Sequence, residues 1–249
     1  MVPDVQGLKS RVSPPRAASA RESSLQNGLA QNGPVQNGPA RAGSGGQART
    51  RLARAAVIEA ARQLFLERGY AATTMEAISD RSDVPPATVY RLFASKLGIL
   101  KALLDVSIAG DDEDIPLADR PQARALLHDP GADPASRLAG FAAITRGIMS
   151  RAEPVYRILV SAAGSDPDAA SLLTHQTRHR DQGQEQIARA LAQAGALRSG
   201  LGERDAADII HALMSPEVYR LLVTDRGWPP ERYEHWLSAA LTSQLLPGS

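Results

Sequence analysis

The chain of 249 residues is 43% hydrophobic, enough for a packed core, and contains no cysteine, which excludes disulfides, thiolate metal sites and a cysteine nucleophile. Its apolar runs are too short for a membrane span and its N-terminus lacks the apolar centre of a secretion signal, so we expect a cytoplasmic protein. The net charge of +1 is uneven: residues 1–46 carry +3, residues 47–103 carry +4 and residues 104–249 carry −6. A surplus of this size is common, but its position favours a polyanionic partner for the first part of the chain.

The first 46 residues are rich in Gly, Pro, Ser, Asn and Gln, and the triplet Gln-Asn-Gly recurs at 26–28, 31–33 and 36–38. Hydrophobic residues are too sparse here to form a core. We therefore predict a disordered N-terminal arm over 1–46, followed by one domain over 47–105 and a second over 106–249.

A helical period begins near residue 47 and ends at Gly69, as at a helix C-terminus. Thr73, with Glu76 three residues later, has the pattern of a capping box that starts a helix over 74–81. A turn follows at 82–84.

The third predicted helix spans 86–93, and Ser95 is placed to cap a fourth. Pro86 suits the first helical position, and Pro85 is extended because a proline follows it. Two short helices joined by a short turn form a helix-turn-helix, whose second helix enters the major groove of DNA N-terminus first.

The side chains predicted to contact DNA follow from this placement. Hydroxyl and ammonium groups donate to phosphates, Pro86 and Ala87 offer apolar surface to thymine methyl groups, and Arg91 reaches a phosphate or a guanine edge. The predicted DNA-binding residues are Thr74, Pro86, Ala87, Thr88, Tyr90, Arg91 and Lys96.

Residues 50–105 resemble the N-terminal domain of the TetR family of bacterial transcriptional regulators. The resemblance is carried by Phe65, Gly69, Thr73, Thr74, Ile78, Thr88, Val89, Tyr90, Arg91, Phe93, Ser95 and Lys96. The chain departs from the usual family pattern at Asp83, Pro85, Ala87, Leu92 and Gly98.

Two alternatives stay open in this region. The hairpin of residues 74–93 is either a DNA-binding element or a pair of helices that only pack. The arginines in front of and inside the first helix either touch the adjacent minor groove or backbone, or form a solvated charged tail; they are Arg41, Arg49, Arg51 and Arg54.

The rest of the chain, after an acidic loop at 111–114, has the apolar spacing of helices. The predicted fold class is therefore all-α. The predicted pieces lie near 119–128, 135–150, 154–163 and 167–194, then from Glu203 with an interruption at Ser215-Pro216 and an end at Gly227, and from Pro229-Pro230 onward.

The resemblance implies that the larger helical domain binds a small effector and dimerises. The candidate effector-binding residues are Phe141, Ile144, Ile148, Tyr156, Leu159, Leu172, His175 and His179. The candidate dimer residues, which are equally suited to the core of one chain, are Ile209, Ile210, Leu213, Tyr219, Leu222, Val223, Tyr233, Trp236, Leu237 and Leu241. His175 and His179 have the spacing of a zinc-binding pair, but no carboxylate completes the set, so we expect no metal.

An enzyme and a helical adaptor without DNA affinity are the rival classes. The phosphate loop, GxSxG and HExxH motifs are absent, so we expect no catalytic residues and no cofactor. Thr88, Tyr90 and Lys96 favour retained DNA binding over an adaptor. The resemblance therefore implies a homodimeric regulator of transcription, a repressor that a small molecule releases from a palindromic operator.

Overall fold

The computed structural model describes residues 42–110, 119–128, 131 and 133–248. These residues contain no strand, so the all-α prediction is confirmed, and none of their helices is long and apolar enough to cross a membrane. The helices are α1 (Ala42–Ala72), α2 (Met75–Ser82), α3 (Pro86–Phe93), α4 (Lys96–Ala109), α5 (Pro121–His128), α6 (Pro134–Ala163), α7 (Pro167–Gln193), α8 (Glu203–Leu213), α9 (Pro216–Tyr219), continued by a π-helical turn (Arg220–Asp225), and α10 (Pro230–Leu245).

Helix α1 begins before the residue at which the sequence predicts it. Residues 42–46, assigned to the arm, are already helical, while residues 1–41 and the acidic loop at 111–114 lie outside the described residues. Extending a formed helix costs far less than nucleating one, so a helix fixed by its packed part can continue into a sequence with low helix propensity.

The first four helices pack around one apolar core. The apolar side of α1 faces it, and Val57, Ala61, Leu64 and Phe65 are each at most 1% exposed. The same core contains Ile78, Val89, Ile99, Leu100 and Leu103, together with Val155 and Leu159 from the second half of α6. The helix-turn-helix is therefore continuous in packing with the larger helical domain.

Two adjacent threonines connect α1 to α2 in different ways. Gly69 has a φ of 79° and interrupts the helical geometry of α1, as the sequence predicts. Thr74 is the N-cap of α2, since its Oγ1 accepts a hydrogen bond from the Ala77 N–H at 3.1 Å. The prediction of Thr73 as cap, with Glu76 as its partner, is wrong: Thr73 is fully buried and donates its hydroxyl to the Gly69 carbonyl at 2.8 Å.

The turn between α2 and α3 has an aspartate, Asp83, at its left-handed position. Asp83 has a φ of 54° and a ψ of 30°, a left-handed conformation that aspartate tolerates. Its N–H donates to the Ser79 carbonyl, and the buried Ser79 hydroxyl donates to the Val84 carbonyl at 2.6 Å. These bonds fix the direction in which α3 leaves the turn.

The corner between α3 and α4 is tight. Ala94 has a φ of 61° and a ψ of −40°, and the Ser95 N–H donates to the Phe93 carbonyl at 2.7 Å, which is a γ-turn. The Ser95 hydroxyl caps α4 by accepting from the Gly98 N–H at 3.1 Å, as predicted. A Cβ atom at position 98 would collide with the Phe93 carbonyl oxygen, which gives a physical reason for glycine there.

Helix α6 is longer than predicted. The two pieces near 135–150 and 154–163 are one helix with Pro154 inside it. Proline costs one backbone hydrogen bond there, but Ala152 on one side and Val155 on the other are both buried. Packing on both sides of the proline therefore keeps the helix continuous.

The last helices form a second core with the first half of α6 and with α7. Ser215 caps α9 and Pro216 occupies its first turn, as predicted, and Gly227 follows the π-helical turn with a φ of 67°. Of the candidate dimer residues, the buried ones are Ile210, Tyr219, Tyr233, Leu237 and Leu241, and the partly exposed ones are Ile209, Leu213, Leu222, Val223 and Trp236.

Candidate nucleic-acid interface

Helix α3 has one buried side and one exposed side. Val89 and Phe93 are 0% and 6% exposed and hold the helix against the first core. The opposite side presents Pro86, Ala87, Tyr90 and Arg91 to solvent, while Thr88 lies at the edge and is partly buried. Tyr90 is 46% exposed, a large aromatic surface for a side chain without a packing role. All the residues predicted on α3 except Thr88 are thus exposed on a single surface.

The start of α3 leaves one backbone donor without an acceptor among the described residues. Pro85, with a φ of −54° and a ψ of 140°, is the N-cap and has no side-chain oxygen to offer. Its carbonyl accepts the N–H groups of Thr88 at 2.8 Å and Val89 at 3.1 Å. Pro86 has no N–H, so the N–H of Ala87 is left over. A helix N-terminus with a free N–H favours a negatively charged group.

Helices α2 and α3 are linked on their exposed sides. The Tyr90 hydroxyl donates to Glu76 Oε1 at 3.4 Å. Thr74, which caps α2, is exposed, and its hydroxyl proton remains available. Glu76 is the acidic side chain of this surface, and the tyrosine hydroxyl restrains its position.

Lys96 is held by the backbone around the end of α1. Its Nζ donates to the carbonyl oxygens of Tyr70 at 2.7 Å and Thr73 at 2.8 Å, and lies 4.2 Å from the centroid of the Tyr70 ring. An ammonium group has three N–H donors, so one remains for another acceptor. The phosphate contact assigned to Lys96 stays a prediction, while its role in joining α4 to α1 was not foreseen.

A second unforeseen contact joins α1 to α7. The Tyr70 hydroxyl donates to Asp166 Oδ2 at 3.4 Å, and Asp166 also caps α7 by accepting from the Asp168 N–H at 2.9 Å. The only local sequence signal was an aspartate before a proline at position 167, which indicates a helix start. Nothing local indicates a partner 96 residues away.

The candidate effector residues do not form one group. Phe141 belongs to the second core, whereas Leu159 belongs to the first. The other members packed against the first core are Ile148, Tyr156 and Leu172, and Ile144 is partly buried. His175 and His179 are exposed on α7 with ring centroids 4.4 Å apart. No cluster of three or more metal-ligating side chains occurs among the described residues.

Comparison with known sequences connects this geometry to a family. Residues 57–103 match the family described as bacterial regulatory proteins, tetR family. The HTH-type transcriptional regulator YvkB of Bacillus subtilis is 42% identical over 48 residues, which are 19% of this chain and 25% of YvkB, so that match spans a quarter of the relative's length. The regulator YdeS of the same species is 28% identical over 183 residues, 72% of this chain and 83% of YdeS.

Solved structures share the fold over most of the chain. NalD, described as the secondary repressor of the MexAB-OprM multidrug efflux pump in Pseudomonas aeruginosa, aligns with a TM-score of 0.61 at 20% identity over 80% of this chain and 100% of NalD. SmeT, solved in complex with triclosan and described as the repressor of the Stenotrophomonas maltophilia pump SmeDEF, aligns with a TM-score of 0.61 at 18% identity over 79% of this chain and 93% of SmeT. Residues 57–103 are therefore a helix-turn-helix domain of the kind found in the tetR family of bacterial regulatory proteins, and the helical fold around them is the one seen in NalD and SmeT.

Proposed function

We propose that the chain is a dimeric repressor that binds an inverted-repeat operator through α3 and leaves it when a small molecule binds the larger helical domain. The observation that carries this proposal is the exposed side of α3, where Pro86, Ala87, Tyr90 and Arg91 lie together above a buried Val89. A short helix with such a surface and a free N–H at its start suits the major groove.

The comparisons support a regulatory role over an enzymatic one. The B. subtilis relatives are named as transcriptional regulators, and NalD and SmeT are described as repressors. We extend the word repressor to this chain on that basis. A protein of this kind works in the bacterial cytoplasm, where the DNA lies.

Coupling between an effector and α3 has a physical route through α4. Arg151 of α6 donates to the Ser107 carbonyl at 3.1 Å and to the Ile108 carbonyl at 3.3 Å, near the end of α4. At the other end of α4, Lys96 holds the carbonyls of Tyr70 and Thr73 beside the helix-turn-helix. A ligand that shifts α6 therefore shifts α4 and, through it, the position of α3.

The surface around α9 and α10 supports dimerisation. Leu221 is 50% exposed in the π-helical turn, and Val223, Trp228 and Trp236 beside it are partly exposed. Apolar side chains left open at the end of a domain are typical of a surface that a second copy covers. Two copies related by a two-fold axis would present their α3 helices to successive major grooves, about 34–36 Å apart.

The proposal is tested with the DNA upstream of the chain's own gene. We expect a band shift that falls steeply with salt, a protected inverted repeat in a footprint, and a dimer by light scattering. Triclosan, the ligand in the SmeT structure, is a first compound to test for release of the DNA. A stable monomer of 26.4 kDa at micromolar concentration would contradict the dimer, and binding that is insensitive to base changes in the repeat would contradict sequence reading by α3.

A further inference from the structure

Helix α1 extends well beyond the core that holds it. The first of its side chains to pack against that core is Ala53, whereas the helix begins at Ala42. The extension therefore projects roughly 16 Å at the α-helical rise. From residue 46 to residue 52 all its side chains are exposed except the partly buried Ala48, and Leu52 is 72% exposed.

This extension is basic and lacks acidic residues. Arg49, Arg51 and Arg54 are exposed, and the first acidic residue of α1 is Glu59. Within the described part of the chain, Arg49 and Arg51 have no ion-pair partner. Their guanidinium groups are therefore available to bind an anion.

One arginine shows which side of α1 turns toward α3. The guanidinium carbon of Arg54 lies 5.1 Å from the ring centroid of Phe93, the last residue of α3. Stacking on an aromatic ring holds a guanidinium in place while leaving its N–H groups at the edge free to bind. Arg54 is therefore held beside the C-terminal end of the helix that carries the proposed DNA-reading surface.

Helical geometry divides the three arginines into two sides. At about 100° per residue, Arg51 lies about 60° around the helix from Arg54 and one turn before it, whereas Arg49 lies about 140° from Arg54 and about 160° from Arg51. Arg51 and Arg54 share the side that turns toward α3. Arg49 points away, although its charge and exposure are the same.

We propose that Arg51 and Arg54 bind the phosphate backbone of the DNA next to the bases under α3, and that Arg49 does not. The inference rests on the proposed function, because α3 must first bring the duplex to this side. Guanidinium groups bind phosphate oxygens with paired, charge-assisted hydrogen bonds. The contact carries no sequence information, so it adds affinity and lengthens the DNA site without changing which bases are preferred.

The test compares Arg51→Gln with Arg49→Gln in the full chain. Both residues are exposed and unpaired among the described residues, so neither change removes a structural contact, and each removes one charge from the same helix. We expect Arg51→Gln to weaken binding about five-fold per subunit at 0.15 M salt, hence about 25-fold for a dimer, and to lower the salt slope by about 0.9 per subunit. Arg49→Gln serves as the matched control and should change affinity less than two-fold, with no change in slope.

A second measurement uses the length of the DNA. The inverted repeat inside the wild-type footprint defines a core duplex, and trimming the flanks to that core should weaken the wild type and Arg49→Gln more than Arg51→Gln, which has already lost one of its two flank contacts. Arg54→Gln should behave as Arg51→Gln, with melting temperature checked because Arg54 packs on Phe93. Equal losses for Arg51→Gln and Arg49→Gln, with DNA binding otherwise intact, overturn this inference alone. Absence of any DNA binding by the wild type overturns the proposed function and this inference with it.

Discussion

Replacement of Lys96 by methionine should destabilise the protein by an amount that its contacts allow us to calculate. The change keeps most of the aliphatic stem against Tyr70 and removes the ammonium group, which donates to two carbonyls at 2.7 and 2.8 Å. Hydrogen bonds to charged groups contribute about 1.5–3 kcal/mol each. The lower end of that range gives about 3 kcal/mol for the pair; because Lys96 is partly exposed and water can replace it at the carbonyls, we discount this figure and expect a loss of about 2–3 kcal/mol.

The assay is thermal unfolding followed by circular dichroism at neutral pH. In a chain of this size the loss corresponds to a fall in melting temperature of about 5–10 °C. Lys101→Met is the matched control, because Lys101 lies on the same helix and its one described contact is an exposed ion pair with Asp105 at 2.6 Å. Such a pair contributes about 0.3–0.5 kcal/mol, so the control should fall by no more than about 2 °C.

Equal melting temperatures for the two variants would refute the assignment of Lys96 as a clamp between α4 and α1. The same variant also tests the predicted phosphate contact. If the third N–H of Lys96 reaches DNA, Lys96→Met lowers the salt slope by about 0.9 per subunit and weakens all sequences alike. A stability loss with an unchanged slope would mean that the clamp is its whole role.

Three further substitutions follow from the geometry of the corners and of α6. Gly98→Ala should lower the melting temperature by several degrees, because the added Cβ meets the Phe93 carbonyl and forced contacts of this kind cost about 1–3 kcal/mol. Gly183→Ala is the control: its site has open space around it, so its melting temperature should not fall. Pro85→Ser should raise stability by up to about 1 kcal/mol by supplying a cap oxygen, while operator affinity stays level or falls; a rise in both would contradict the free N–H as an anion site. Glu153→Gln should stabilise the protein near pH 7, because burial raises the pKa of the Glu153 carboxyl above its usual value. As the pH falls through the raised pKa, the Glu153 carboxyl of the wild type becomes neutral and its burial no longer destabilises the fold. The difference in stability between Glu153→Gln and the wild type should therefore shrink toward pH 4. A stability difference that does not change with pH would point to another cause.

The parts of the fold that depend on neighbouring residues could be predicted from the sequence. The bounds of α3 and the cap at Ser95 follow from prolines, a serine and apolar spacing within one or two turns. The choice between Thr73 and Thr74 could not be predicted, because both can cap a helix and the core decides which of them is buried. The residues around Pro154 are likewise compatible both with two helices that are separated at the proline and with one continuous helix.

The candidate site residues also fall into those that the local sequence predicts and those that depend on distant parts of the chain. Exposure on α3 follows from a helical period that Val89 and Phe93 fix, so the predicted surface residues were found together. The carbonyl partners of Lys96 are 23 and 26 residues away in the chain, and no local pattern indicates them. The candidate effector residues are divided between two cores and the exposed surface of α7, because their grouping depends on how α6 and α7 cross, which periodicity does not specify.

The contact between Tyr70 and Asp166 has a consequence for the conditions in which the regulator operates. Burial, reinforced by the carboxylate of Asp166, raises the pKa of the Tyr70 phenol to about 12. The phenol therefore keeps its proton, and can donate it, in acidic, neutral and moderately alkaline surroundings alike. The join between α1 and α7 is consequently insensitive to alkaline stress inside the cell. The hydrogen bond between Tyr70 and Asp166 is broken by a displacement of the first turn of α7 and not by the loss of a proton from the tyrosine.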